Sequence, residues 1–458
     1  MTQNRLIEYL KTVILVVLFL TTILLLYLLW GQSLAPGIVG IFEPGASAQS
    51  ISAKDYIEPL YVAYGNGDGS FVLAENTESD FQSSIAGFAA YNSGEAMLTE
   101  ISKDTFDEVV EKYKSRMVSF GYNLPFEEFC ELFGIGRVLG AESVAYLESF
   151  AFSEASKESV FVKDEYNEKY YRLLFAEGHD IPNIPQTGPE SLCYGAGDIL
   201  GGSSHALISL APTGNLAELS CSFDAEGSAS RRDLAEDIFG DTLDFVRRIT
   251  DSFGNITYMY GYGQESLTAN VDGSYEYKTE GSNLESLGFF KELDSALSFA
   301  AVFGGLEDEF VLNNVIRTGS AKSASYTFEF VQKVCGVRVF SDHGPALSIE
   351  TKGGQVLNAS RRIISAQSAS GETVAAAEPA NVLANNCNHI YNISTNSMLA
   401  VDSAQAYSYV ADNVRFVQKA YFTLEQGDLL MPCWLVGTDT ALFFFDLYDA
   451  SPLGFNRL

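Results

Sequence analysis

Gly201-Gly202-Ser203-Ser204-His205 is the one place in the chain where a serine directly adjoins a histidine. Acyl transfer needs the base to reach the hydroxyl through folded space, commonly from a G-x-S-x-G elbow. Adjacent Ser and His do not meet that need and the elbow is missing. A turn ahead of a strand is the expected role of this segment. No lysine has a serine three residues before it, and no H-E-x-x-H occurs. Gly261-Tyr262-Gly263 sits between expected strands and lacks the rest of a phosphate-binding loop. The six cysteines (130, 193, 221, 335, 387 and 433) contain no C-x-x-C pair. They read as small core residues; one disulfide is compatible with them and no pairing is deducible. Four histidines (179, 205, 343 and 389) are too scattered for a metal site. The acidic groups Asp233/Glu236/Asp237/Asp241/Asp244 and Glu307/Asp308/Glu309 lack calcium-loop spacing and read as solvated surface. No catalytic residue, cofactor-binding residue or metal ligand is therefore expected, and the chain reads as no enzyme.

Composition narrows the remaining classes. The chain has 458 residues, 47% hydrophobic and 19% charged, enough to build several packed cores. Lys and Arg total 28 against 59 Asp and Glu, a net charge of −31. That balance excludes a nucleic-acid binder, which needs a basic face.

The strongest local signal is the uncharged run TVILVVLFLTTILLLYLLW, residues 12–30. As a helix it would reach roughly 28 Å, close to the hydrocarbon thickness of a bilayer. Tyr27 and Trp30 at one end favour the headgroup region, and Arg5 and Lys11 lie at the other. The positive-inside tendency makes the N-terminus cytoplasmic and the bulk of the chain extracytoplasmic. The run exceeds an ordinary signal-peptide core, and the cleavage-like Ala46-Ser47-Ala48 lies too far beyond it, so the expectation is an uncleaved single-pass anchor in the cell membrane. Thr21 and Thr22 are the hydroxyl residues at its middle and the candidates for contact with a partner helix.

Beyond the anchor, patterning predicts tandem helix-on-antiparallel-sheet modules, an α+β fold. Helices are expected near 104–120, 232–253, 287–303 and 403–414, each followed by strands. Phe106, Val109, Val110, Tyr113 and Met117 mark the first, with Thr105 and Glu108 as a capping box. Leu234, Ile238, Phe245, Ile249 and Phe253 are expected inward on the second. The small-residue stretch 366–384 reads as a loop or a weak helix, a tether rather than a site. The resulting division is a cytoplasmic stub (1–11), a transmembrane helix (12–30), a linker (31–55) and α+β domains over 56–190, 191–285 and 286–458.

Four stretches carry a resemblance. They are RLIEYLKTVILVVLFLTTILLLYLLW, SRMVSFGYNLPFEEFCELFG, YTFEFVQKVCGVRVFSDHGPALSIETKGGQVLNASRRI and AQAYSYVADNVRFVQKAYFTLEQGDLLMPCWLVGTDTALFFFDLYDA. Together they resemble the YycH/YycI proteins, and YycH more closely. Arg338 stands where that family commonly has Pro, and Pro432-Cys433-Trp434 matches its closing Pro-x-Trp strand. The resemblance implies an accessory regulator of a sensor histidine kinase of the WalK type in Gram-positive bacteria. It implies that kinase as partner, a second YycH/YycI-type regulator as a further one, a bearing on cell-wall metabolism, and no catalytic residues. The alternative is a membrane-anchored module that binds cell-wall glycan or lipid through surface Tyr and Phe, of which the chain has 24 and 32.

Overall fold

The structure is a computed structural model. It describes residues 53–74, 79–84, 96–140, 146–164, 167–175, 192–210, 216–223, 228–281, 284–306, 310–319, 323–367, 375–397, 401–424 and 429–458. The run 12–30 with Thr21, Thr22, Tyr27 and Trp30, the linker to residue 52, the acidic triplet 307–309 and the Pro/Gly-rich segment 178–189 lie outside these residues. Among the described residues no helix is long and apolar enough to cross a membrane.

The architecture is mixed α+β with two large, mainly antiparallel sheets of 10 and 15 strands among the described residues. Four times a helix is followed by strands that pair in turn as an antiparallel meander. The first set is α1 (Lys103–Glu111), β1 (Lys114–Pro125), β2 (Tyr146–Ser153), β3 (Ser159–Asp164) and β4 (Lys169–Leu174). The second is α2 (Ser228–Phe239), β5 (Arg247–Thr250), β6 (Ile256–Tyr260), β7 (Glu265–Ala269) and β8 (Tyr275–Thr279). The third is α3 (Phe289–Val302), β9 (Phe310–Thr318), β10 (Ser325–Val334), β11 (Leu347–Lys352) and β12 (Gln355–Arg361). The fourth is α4 (Ser403–Asn413), β13 (Phe416–Thr423), β14 (Leu429–Gly437), β15 (Ala441–Asp446) and β16 (Pro452–Arg457). The second and third meanders join edge to edge where β8 pairs β12. The third and fourth join through the strand Val337–Ser341, which pairs β10 antiparallel and β13 parallel.

Each helix buries an apolar stripe. Phe106 and Val110 of α1 are buried, while α3 buries Phe289, Leu293, Ala296, Leu297 and Ala300 against the strands that follow it. Phe129, Phe133 and Phe150 pack as a trio with ring centroids 4.7, 5.1 and 5.4 Å apart, at spacings where offset and edge-to-face contacts are favourable.

Four expectations need correction. The first helix stops at Glu111 rather than residue 120. Val118, Phe120 and Tyr122 favour a strand, and Met117 is taken into the ladder opposite Ala63. Its cap is Ser102, whose Oγ accepts from the Thr105 amide at 3.2 Å, so no Thr105–Glu108 box forms. The second helix ends at Phe239, where Gly240 turns into the left-handed region and the Thr242 hydroxyl donates to the Phe239 carbonyl at 2.6 Å. Phe245, Ile249 and Phe253, expected inward, are exposed, while Leu234 and Ile238 are buried as expected. The stretch 366–384, expected as a loop or a weak helix, begins in the strand Ile364–Gln367 and ends in the helix Pro379–Asn385, whose Val382 and Leu383 are fully buried.

Candidate functional site

The Gly201–His205 segment turns out to be a staple joining the first and fourth modules. It follows the short helix Ala196–Leu200, which Gly201 ends in the left-handed region. Gly202 lies so close to the end of α4 that a Cβ there would sit 2.4 Å from the Ala411 carbonyl oxygen. Ser203 donates to the Asp412 carboxylate twice, from its amide and its hydroxyl, each at 2.8 Å. The Ser204 amide donates to the Ala411 carbonyl at 3.0 Å and its hydroxyl to the Val414 carbonyl. These bonds satisfy carbonyls that the last turn of a helix leaves without an intrahelical partner.

His205 faces the other module. Its Nε2 lies 3.4 Å from Asp107 and its Nδ1 3.7 Å from Glu111, both on α1. Lys103 of α1 donates to the Ser203 carbonyl at 3.4 Å. Each serine hydroxyl is thus engaged with the C-terminal module and the imidazole with carboxylates of the N-terminal one. The geometry makes a latch and no nucleophile–base pair. Burial pushes the Asp107 carboxyl above its ordinary range, against the lowering effect of the nearby His205 and Lys103 charges. A raised folded-state pKa favours the fold below it, and that contribution is lost as pH rises through it. Asp107→Asn should therefore abolish a gain in stability that the parent shows as pH falls through the window just above the ordinary carboxylate value. Urea midpoints of both proteins, measured across that window, check this.

Beside the staple a cleft of about 500 Å³ opens between the sheet and the C-terminal module. Tyr61, Phe106, Met117 and Tyr170 contribute apolar lining, and the walls are charged. Arg415, immediately after α4, pairs with Glu148 of β2 at 2.8 Å and with Asp439 at 3.4 Å. The first of these pairs is largely buried.

A second tie between the modules was invisible in the sequence. Lys333 of β10 pairs with both carboxylate oxygens of Glu58 at 2.9 Å. Arg338 donates to the Asn313 side chain at 3.1 Å and to the Pro59 carbonyl at 3.3 Å. A Pro at this position, the residue common in the resembled family, could make neither bond. Arg338→Ala should lower unfolding stability by about 1–2 kcal/mol, because two part-buried acceptors lose a charged donor; a urea melt measures it.

Other sequence candidates take structural roles. The cysteines take packing roles: Cys193, Cys221, Cys387 and Cys433 are buried, the Cys433 thiol donates to the Ala420 carbonyl at 3.3 Å, and Cys335 is exposed. Trp434 is buried and its indole donates to the Ala377 carbonyl at 3.0 Å. Among the described residues no group of three or more His, Cys, Asp or Glu side chains could hold a metal ion.

No family model matches the chain, and no curated protein matches it. Among solved structures the chain is similar to YycH from Bacillus subtilis, with a TM-score of 0.50 and 11% identity, over 85% of this chain and 96% of that one. The fold is YycH-like. An uncharacterized protein from Eubacterium rectale is also similar, at a TM-score of 0.35 and 12% identity, over 53% of this chain and 86% of that one. So is the YpeB C-terminal domain from Bacillus megaterium, at 0.26 and 11%, over 51% of this chain and 98% of that one. Within the YycH-like frame the staple and the Glu58–Lys333–Arg338 tie bind the first module to the C-terminal ones.

Proposed function

We propose that the chain is a membrane-anchored, extracytoplasmic regulator of a WalK-type two-component sensor histidine kinase, acting on cell-wall metabolism by protein contacts and without catalysis. The observation that carries the reading is the YycH-like fold over most of the chain. Two further observations support it. The run 12–30 has the length and polarity of a single span with the N-terminus inside. The one Ser/His cluster is spent on holding modules together.

Crosslinking in intact membranes followed by purification of the full chain tests it: enrichment of the sensor kinase is expected, and its absence contradicts the reading. Contact through the span makes a finer prediction. Replacing Thr21 and Thr22 together with Leu should weaken this enrichment without abolishing it, since each interhelical hydroxyl contact contributes about 0.6–2 kcal/mol in lipid. Undiminished enrichment would place the contact on another face of the span if a shuffled-Leu anchor loses it, and in the ectodomain if that anchor keeps it.

A second reading rests on the cleft beside the staple, whose charged and polar walls also carry the rings of Tyr61, Phe106 and Tyr170. Retention of the chain on purified peptidoglycan in high salt, lost when the lining residue Tyr170 is replaced by Ala, would favour a glycan-binding module.

A further inference from the structure

The free edge of the larger sheet differs from the rest of this acidic chain. β5 is the terminal strand in the order, paired on one side to β6 and on the other to no strand among the described residues. All four of its residues, Arg247 to Thr250, are exposed. Ile249 is 41% exposed, Phe245 just before the strand 78%, and Phe253 in the following turn 81%. Apolar side chains thus lie open along an edge that also presents unpaired backbone groups. Such an edge is a template for another strand.

Its charge restricts what can pair there. Arg247 and Arg248 form no ion pair among the described residues, although the chain carries −31 overall. Their neighbour Asp251 is committed to the turn, accepting from the Phe253 and Asn255 amides and the Asn255 side chain at 2.8–2.9 Å. Arg232, on α2, is paired with Glu236. Successive residues alternate faces, so Arg247 and Ile249 share one face of the strand and Arg248 and Thr250 the other. A second copy paired antiparallel in the register that opposes Arg247 to Arg248 would set like charges across the ladder, which destabilises it. A strand with adjacent acidic residues would instead set a carboxylate against each guanidinium, with an aliphatic residue beside Ile249.

We propose that β5 is a docking edge for an extended acidic strand of a partner protein, added by backbone hydrogen bonding. This deepens the regulator reading by naming a contact surface, and rests on that reading only for what the partner is. The competing role of the two arginines is to keep the edge from pairing at all.

The test is titration of two labelled synthetic strands with the full chain, read by fluorescence anisotropy. One strand carries two adjacent Glu flanked by Val and Thr; the other has Lys in place of Glu. The acidic strand should bind and the basic one should not. The Arg247→Glu/Arg248→Glu double variant should bind the acidic strand at least about tenfold more weakly and gain the basic one. Because both positions are exposed, its unfolding midpoint should match the parent and certify the fold. Three results would overturn the proposal. The parent binds neither strand; the variant keeps the acidic strand; or the edge serves only self-association, with an oligomer that the double variant breaks and no strand bound. No kinase is present in this assay, so a negative result removes the edge as a docking site and leaves kinase regulation to another surface.

Discussion

Glu292→Ala will unfold the chain at a markedly lower urea concentration, a loss of about 3 kcal/mol, because three part-buried backbone amides lose the carboxylate they share. Glu292 lies in the first turn of α3 and is fully buried. Its Oε1 accepts from the Leu287 amide at 2.9 Å and the Gly353 amide at 2.7 Å, and its Oε2 from the Gly354 amide at 3.1 Å. The carboxylate therefore fastens the entry of the helix to the turn between β11 and β12. Its acceptor-only chemistry suits three converging N–H groups. Glu292→Gln keeps one oxygen but turns the other position into a donor facing an amide, so an intermediate loss is expected. A Gln variant as stable as the parent would contradict this account of the site.

Gly202→Ala will cost about 3 kcal/mol, whereas Gly201→Ala, one residue earlier, will cost about 1 kcal/mol. A Cβ on Gly202 meets three atoms of Ala411 at 2.4–2.6 Å, two of them backbone atoms in the last turn of a packed helix that cannot give way. A Cβ on Gly201 has nothing within 4 Å, and its cost is only that of a left-handed backbone for an L residue. Hydrogen exchange should localise the Gly202 effect. Amides at the end of α4 and in the segment 203–206 lose protection, because the Ser203 and Ser204 bonds depend on that approach. Equal effects of the two substitutions would mean that the pair of glycines serves turn conformation alone.

Much of this fold is legible from periodicity. α3 and α4 emerge within a residue or two of their expected bounds because each has a continuous apolar stripe and a clean stop, Gly304-Gly305 after the first and a strand-forming run after the second. The closing strands β13 to β15 are equally clear, since their alternation and aromatics match a buried sheet. The two overlong helices share one cause: apolar residues at helical spacing that belong to two different elements. Phe106 and Val110 are helical while Met117 is strand, and Leu234 and Ile238 are helical while Ile249 is strand. Local spacing cannot show where the neighbouring strand takes over hydrogen bonding. The strand Ile364–Gln367 went unread because it pairs with Leu219–Phe223, far away in sequence.

The candidate site was half legible. Gly201–His205 was visible as a cluster, but its role depends on Ala411, Asp412, Asp107 and Glu111, which only the fold brings together. Nothing local marks Lys333 and Arg338 as ties to Glu58 and Pro59, because each bond spans the whole N-terminal module. Two adjacent arginines in a predicted helix face likewise gave no sign that they would stand on the free edge of a sheet.

The most direct measurement of the central claim is kinase autophosphorylation in reconstituted vesicles. The full chain and the WalK-type sensor kinase of the same cell are incorporated together, and phosphorylation is followed with and without the chain. The account predicts a change in the rate that persists when Ser203 and His205 are both replaced by Ala, provided the variant remains folded, because contact and not chemistry transmits the effect. An unchanged rate in the presence of the folded parent chain would contradict it.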